Sequence, residues 1–171
     1  MKKIAITGPE STAKSSLVQF LSSHFGFPFV PEYAREYMQE KPLGYSCSFD
    51  EITAIALEQI RLENKLVENN QLIFCDTDVL VSKIWQEHVF GKCDPLVETS
   101  FQNNLYQLHL LCSPDIEWEP DPLRSNKHDR DILFQKYKNA LDASSKPYKI
   151  ICGQGNDRFN AAAAFVETLL K

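Results

Sequence analysis

The residues with the clearest chemistry lie at 8–16, which read G-P-E-S-T-A-K-S-S and directly follow an apolar run at residues 4–7. They nearly match the phosphate-binding P-loop G-x-x-x-x-G-K-[ST], in which main-chain N–H groups and a helix N-terminus surround a phosphate. The spacing predicts that Lys14 reaches the terminal phosphates of ATP and that the Ser15 hydroxyl binds Mg²⁺. The predicted ATP-binding residues of this loop are Gly8, Glu10, Ser11, Thr12, Ala13, Lys14, Ser15 and Ser16.

The loop departs from the motif at Ala13, which stands where the second glycine is expected. If that position requires a positive φ, alanine adopts it at a cost of roughly 1–2 kcal/mol. The simpler alternative is a serine-rich helix start, in which Ser11 or Thr12 serves as an N-cap. The spacing alone leaves both interpretations open.

Composition excludes several classes of function. The chain has 171 residues, 43% of them hydrophobic and 24% charged, which suits a single domain over residues 1–171. A net charge of −5 argues against a general nucleic-acid or membrane surface, and we expect neither partner. Without a signal peptide or a run of transmembrane length, we expect a cytoplasmic protein. The composition does not predict an oligomeric state.

Cysteine and histidine usage predicts neither disulfides nor a metal cluster. The five cysteines form no C-x-x-C pair, and the four histidines are dispersed along the chain. Three of the cysteines, Cys75, Cys112 and Cys152, end predicted strands, where core packing is expected.

Strand-like and helix-like segments alternate along the chain. The predicted strands are 3–7, 27–30, 71–75, 108–112 and 148–152. The predicted helices are 14–24, 32–40, 50–69 with Asp50 as its cap, 77–88, 95–104, 131–141 and 156–170. This order predicts an α/β three-layer domain with a mainly parallel five-stranded sheet. Residues of about 113–130 are polar and proline-rich, and we call them the lid segment.

Acidic residues follow the predicted strands, at the sheet edge where ligands bind. Asp76 ends an apolar strand, where a carboxylate could hold magnesium-bound water. Asp78 or Glu32 could accept a proton from a substrate hydroxyl. The structural alternative is that Asp76 or Asp78 only caps the next helix.

Arginine and aromatic side chains follow the same strands. Arg124 and Arg130 could meet the charge that develops during phosphoryl transfer, and Arg35 could clamp a substrate or a phosphate. The alternatives are a solvated charged loop and a surface ion pair of Arg35 with Glu32 or Glu36. Trp118, like Tyr33, Tyr37 and Trp85, could stack on a base or pack in the core. Arg158 could lie near the adenine or simply open the last helix.

Five motifs in order span residues 8–159: G-P-E-S-T-x-K-S, P-E-Y-A-R-E-Y, F-C-D-T-D, W-E-P-D-P-L-R and G-x-x-x-D-R-F. Together they resemble the kinase domain of NadR-like proteins, an AAA-type ATP-binding domain that phosphorylates nicotinamide riboside with Mg-ATP. The resemblance implies a three-layer P-loop NTPase fold of the nucleoside and nucleotide kinase type. No H-x-G-H motif occurs, so we do not expect the nucleotidyltransferase activity of larger members.

The resemblance also implies site residues. Lys14 and Ser15 would bind ATP and Mg²⁺, and Asp76 and Asp78 would serve the metal and the ribose hydroxyls. Glu32, Tyr33 and Arg35 would lie by the substrate, and Arg124 and Arg130 in the lid. Pro31 stands where relatives carry an aromatic residue against the nicotinamide ring. We therefore expect a kinase for a small nucleoside-like alcohol, with a nucleotide-dependent switch, or an ATP-binding module without catalysis, as alternatives.

Overall fold

A computed structural model describes residues 2–124 and 126–171. Strands and helices alternate along the chain, as the sequence predicts. The strands are β1 (Lys2–Thr7), β2 (Phe29–Val30), β3 (Leu72–Asp76), β4 (Leu108–Cys112) and β5 (Tyr148–Ile151). The helices are α1 (Lys14–Phe25), α2 (Tyr33–Gln39), α3 (Phe49–Val67), α4 (Val79–Phe90), α5 (Pro95–Asn103), α6 (Arg130–Ala143) and α7 (Gly155–Leu170).

The five strands form one sheet in the order β2-β3-β1-β4-β5, and every pair is parallel. Central β1 pairs Ile4 with Phe74 of β3 and with Leu108 of β4. Because the three strands run the same way, the segments that follow them emerge at one edge of the sheet. This topology confirms the predicted parallel sheet and brings the P-loop, residues 76–78 and the lid segment to a common edge.

Helices cover both faces of the sheet. Ile4 and Ile6 pack on one face with Leu17 of α1 and Val166 of α7. Ala5, which points to the other face, packs in a cluster that includes residues of α3. Burial on both faces explains why β1, β3 and β4 are nearly continuous apolar runs rather than alternating ones.

The start of α3 differs from the prediction. Ser48, not Asp50, is the N-cap: its hydroxyl accepts the Glu51 N–H at 3.3 Å, and the Glu51 carboxylate accepts the Ser48 N–H at 2.9 Å. This reciprocal capping box satisfies two helix-end donors at once, and it places Asp50 inside the first turn.

The cysteines are free thiols within the described residues. Cys75 and Cys112 are buried as predicted, but Cys152 is exposed, since it follows the edge strand β5, whose central residues are themselves exposed. Within the described residues, no helix has the length and apolar character needed to cross a membrane.

Candidate active site

The P-loop turn depends on backbone conformations that few residues adopt. Gly8 has φ of 130°, and a Cβ at this position would lie 2.7 Å from the Cys112 carbonyl oxygen. Ser11 and Ala13 have φ of 54° and 60°, in the left-handed region. Ala13 therefore takes the positive φ expected of the missing glycine, at a cost of roughly 1–2 kcal/mol.

Helix α1 begins without a side-chain cap from any described residue. Its N-cap is Ala13, whose carbonyl accepts the Leu17 N–H at 2.9 Å. The Thr12 hydroxyl instead donates to the Pro9 carbonyl at 2.9 Å. The alternative in which Ser11 or Thr12 caps the helix is therefore wrong. Main-chain N–H groups of the first turn are left for an anion, which the helix dipole also favours.

Lys14 and Asp76 lie together beside this turn. The Lys14 ammonium donates to the carbonyls of Gly8 and Pro9 at 3.0 and 2.6 Å. Burial raises the pKa of the Asp76 carboxyl, opposed by a hydrogen bond from the Ser15 side chain and by the charges of Lys14 and Arg35. The sequence predicted this grouping of the P-loop lysine, the P-loop serine and the acid that ends β3.

A second carboxyl joins the group from the start of α2. Burial raises the pKa of Glu32, with Lys14 as the next influence and in the opposite direction. The neighbouring Asp76 carboxylate raises that pKa further, whereas Arg35 lowers it. Two acids and two cations from distant segments are thus close enough to act on one another at the sheet edge.

Arg35 connects α2 to the lid segment. Its guanidinium donates to the Asp121 carboxylate at 3.0 Å, and Asp121 also accepts the Leu123 N–H at 2.9 Å. These bonds lower the pKa of Asp121, the Leu123 bond most strongly. The alternative that paired Arg35 with Glu32 or Glu36 is wrong, because its partner lies in the lid segment.

The lid segment lies directly against the P-loop. The Ser11 hydroxyl accepts the Glu119 N–H at 2.8 Å, and the Ser11 carbonyl accepts from Arg130 at 3.0 Å. The Glu10 carboxylate accepts from the main chain and the side chain of Asn126 at 3.0 and 3.2 Å. Glu10 and Ser11, predicted as nucleotide contacts, therefore also bind the lid segment.

The two predicted lid arginines are held by main-chain carbonyls. Arg130 also donates to the Ile116 carbonyl at 2.9 Å, and Arg124 donates to the Glu119 carbonyl at 2.6 Å. The Arg130 guanidinium lies over the Trp118 ring, and its Cζ atom is 5.8 Å from the ring centre. Arg124 lines the cavity described below. Trp118 lies against Arg130 and is not among the residues lining that cavity, and its contact with a substrate stays a prediction.

Asp78 lies in the interior of the sheet edge. Its carboxylate accepts the Thr7 hydroxyl at 2.9 Å and approaches His109 Nε2 at 3.4 Å, and both the Asp78 and His109 side chains are fully buried. It is the N-cap residue of α4, yet its side chain caps nothing. The Asp78 carboxylate therefore contacts Thr7 of β1 and does not cap α4, although Asp78 also lines the cavity described below, so its predicted substrate role stays a prediction. Thr77 before it has a φ of 75°.

Arg158 is a buried residue of the last helix. Its guanidinium donates to the carbonyls of Thr12, Ser113 and Gly153 and to the Asp115 carboxylate, all within 2.8–3.0 Å. Only 1% of the residue is exposed. Arg158 thus joins the P-loop to the segments after β4 and β5, and its place near the adenine stays a prediction.

A cavity of about 450 Å³ opens beside these groups. P-loop residues and Glu32 line one part of it, and apolar side chains of α2, α3 and α4 line another, including Met38, Ile55 and Trp85. This volume and mixed lining are typical of small-molecule sites. Of the predicted substrate residues, Glu32, Arg35 and Asp78 line the cavity, whereas Tyr33 packs with Tyr37 and with the cluster around Ile52.

Sequence reasoning missed three residues at this site. Thr7 and His109 hold Asp78, and Gln59 lines the cavity from α3. Gln59 follows Ile55 by four residues, so the helical period could have placed both on one face. No comparable signal marks His109, because its contact with Asp78 joins β4 to the start of α4, two segments that are distant in sequence.

Comparisons with known proteins identify a matching family and similar proteins. A family model described as an AAA domain matches residues 3–158. The chain is 29% identical over 131 residues to the trifunctional NAD biosynthesis/regulator protein NadR of Salmonella typhimurium, covering 73% of this chain and 31% of that protein. It therefore spans about a third of the length of this curated relative.

Solved structures share the fold. NadR protein in complex with NR superposes with a TM-score of 0.86 at 23% identity, covering 98% of this chain and 51% of that one. NadR protein in complex with NAD and AMP-PNP superposes with a TM-score of 0.79 at 22% identity, covering 98% of this chain and 49% of that one. Deoxyadenosine kinase from M. mycoides, solved with dCMP and dCDP, has a TM-score of 0.67 at 14% identity, covering 97% and 99% of the two chains. The chain belongs to the AAA domain family and is similar to part of NadR.

Proposed function

We propose that this chain transfers the γ-phosphoryl group of ATP to a hydroxyl of a small nucleoside-like alcohol. One observation carries the proposal: the P-loop, with Lys14, and Glu32 line one cavity that also has apolar walls. The Asp76 carboxyl lies close enough to Lys14 and Glu32 to interact with both electrostatically. Nicotinamide riboside is the first acceptor to test, because the similar NadR structure holds NR.

The donor set beside the P-loop suits a magnesium ion. Asp76 Oδ1 is buried and has no hydrogen-bond partner among the described residues, and it belongs to the hard oxygen class that Mg²⁺ prefers. Asp76 and the Ser15 hydroxyl would hold the ion. When bound, it would neutralise charge on the β- and γ-phosphates of ATP.

Lys14 would bind the same phosphates. In the ligand-free chain its ammonium is held by the Gly8 and Pro9 carbonyls, at the turn where phosphates would enter. The phosphates would replace these carbonyls as acceptors. Arg124, on the cavity wall, and the neighbouring Arg130 would add positive charge from the lid segment.

Glu32 is the better candidate for the base that receives the hydroxyl proton. Its pKa is raised by burial, which brings the carboxyl closer to the neutral range in which a general base works best. Glu32 and Asp78 both line the cavity, but the Asp78 side chain is fully buried and its carboxylate already accepts the Thr7 hydroxyl. Positioning and charge neutralisation would supply most of the rate acceleration.

A single-turnover assay with labelled ATP and a panel of ribonucleosides tests the proposal. We expect transfer to at least one nucleoside, and loss of transfer in Lys14→Met and Glu32→Gln variants that still unfold cooperatively. Hydrolysis of ATP without an acceptor, together with nucleotide-dependent protein binding, would favour a switch. Binding of ATP with neither transfer nor hydrolysis would favour a non-catalytic module.

A further inference from the structure

Gln59 is a buried polar residue of the cavity wall. It lies on α3 four residues after Ile55, on the same helix face, and both line the cavity. Only 4% of Gln59 is exposed. A long amide side chain buried to this degree normally satisfies both of its ends.

Only one end of the Gln59 amide is satisfied. Its Oε1 accepts the Tyr33 main-chain N–H at 2.9 Å, which fixes the orientation of the amide because an NH₂ group could not accept that bond. Its Nε2 is buried and has no hydrogen-bond partner among residues 2–124 and 126–171. An unsatisfied buried donor of this kind costs about 1–3 kcal/mol.

Apolar side chains pack around Tyr33, whose main-chain N–H binds the Gln59 amide. They include Cys47, Ile55 and Trp85, and these three residues also line the cavity. Apolar and aromatic walls with one convergent polar group suit a flat ring that carries a polar atom at its edge. Because the free group of Gln59 is a donor, the matching atom on the ligand is an acceptor.

Resting on the proposed function, we infer that Gln59 selects the base of the acceptor nucleoside. The Nε2–H of Gln59 donates to a carbonyl oxygen on the edge of the ring. The carboxamide of nicotinamide riboside carries such an oxygen, and so do oxo-substituted bases. Nucleosides whose ring lacks a carbonyl leave the donor unsatisfied and bind more weakly.

Matched ligand pairs test the inference by direct calorimetric binding without ATP. One pair is nicotinamide riboside and unsubstituted pyridinium riboside, which carry the same ring charge. The other is inosine and purine riboside. We expect the wild-type chain to bind the carbonyl member of at least one pair about 10- to 100-fold more tightly.

Gln59→Glu is the informative variant, because a carboxylate oxygen can still accept the Tyr33 N–H while the NH₂ donor is lost. We expect it to reduce the preference within the pair to less than about threefold. The added charge also repels the carbonyl oxygen of the ring, which lowers the preference further. Gln59→Met, without either polar end, is the second variant, and Gln135→Glu on the exposed face of α6 is the matched control.

An unchanged preference in both Gln59 variants would overturn the inference, and so would a wild-type chain that discriminates within neither pair. The binding measurement is independent of phosphoryl transfer. Selective binding that depends on Gln59 in a chain that transfers no phosphate would uphold this inference and refute the kinase proposal.

Discussion

The Arg158 guanidinium donates to the Thr12 carbonyl at 3.0 Å, across 146 residues of sequence. The last helix thereby holds the phosphate-binding turn at the opposite end of the chain. The same guanidinium binds the Ser113 carbonyl, where the lid segment leaves β4. One buried cation thus connects the closing helix, the P-loop and the lid segment.

Arg158→Met should therefore lower both stability and ATP affinity. The substitution keeps an apolar side chain of similar length but leaves the Thr12 and Ser113 carbonyls without their charged donor. We expect the free energy of unfolding to fall by about 1.5–3 kcal/mol, measured by urea denaturation. A variant with unchanged stability and weaker ATP binding would instead indicate that Arg158 contacts the nucleotide.

Gly8→Ala should disrupt the P-loop. An alanine Cβ would lie 2.7 Å from the Cys112 carbonyl oxygen, and L-residues rarely adopt φ of 130°. Such backbone strain costs of order 1–3 kcal/mol, so we expect a lower melting temperature and no detectable ATP binding. Gly44→Ala is the control: its φ is also positive, but nothing lies within 4 Å of the added Cβ.

Ala13→Gly should stabilise the chain, although glycine usually destabilises. Ala13 has φ of 60°, so glycine relieves roughly 1–2 kcal/mol of backbone strain in the folded chain. It also destabilises the folded chain by about 0.5–1 kcal/mol, because glycine is more flexible when unfolded. We expect a net gain of up to about 1 kcal/mol in thermal unfolding. Because the turn already has the required conformation, ATP affinity should change less than about tenfold.

Ala161→Gly is the matched control for this prediction. Ala161 is exposed within α7, where glycine costs about 1 kcal/mol relative to alanine. The two substitutions should therefore shift the melting temperature in opposite directions. Destabilisation by both would show that Ala13 is not strained.

Glu32→Gln should stabilise the ligand-free chain at neutral pH. The Glu32 pKa is raised above its ordinary value of 4.5, so the folded chain holds this proton more tightly than the unfolded chain. The free energy of unfolding therefore falls as pH rises from about 4.5 through the raised pKa. The glutamine variant does not titrate and therefore does not lose this stability as the pH rises. Each kcal/mol by which its free energy of unfolding exceeds that of the wild type raises its melting temperature by about 2–4 °C.

Thermal unfolding between about pH 4 and pH 8 measures this effect. The advantage of Glu32→Gln should disappear at the acidic end, where both states of the wild-type carboxyl are protonated. Glu36→Gln, which removes an exposed carboxyl from the same helix, is the control. An advantage independent of pH would contradict burial of a titrating carboxyl at Glu32.

Substitution of Asp78 should lower the stability of the chain, whereas substitution of Asp76 should impair its binding of Mg-ATP. Asp78→Ala leaves the buried Thr7 hydroxyl and His109 without their partner and should lower the free energy of unfolding by about 1–3 kcal/mol. Asp76→Ala removes a carboxyl whose pKa is raised by burial, so ligand-free stability should not fall. It should instead abolish the stabilisation that Mg-ATP gives the wild-type chain, measured as a thermal shift.

Local patterns in the sequence were sufficient to predict the fold. Buried apolar runs predicted the parallel sheet, and the P-loop spacing together with the parallel topology predicted that Lys14 and Asp76 would meet. One error was also local: Asp50 was predicted as the cap of α3, whereas Ser48 is the N-cap and forms a capping box with Glu51. Cap choice depends on main-chain angles at single residues, which composition alone does not specify.

The sequence by itself determined the class of fold and the edge of the sheet where charged groups would gather, because strand direction places the ends of parallel strands together. Only the tertiary structure decided what each group touches there. It turned Asp78 toward Thr7 and His109 and bonded Arg158 to the P-loop. It also left Gln59 Nε2 without a hydrogen-bond partner among the described residues. These outcomes depend on distances of a few ångströms between segments far apart in sequence, which no spacing along the chain encodes.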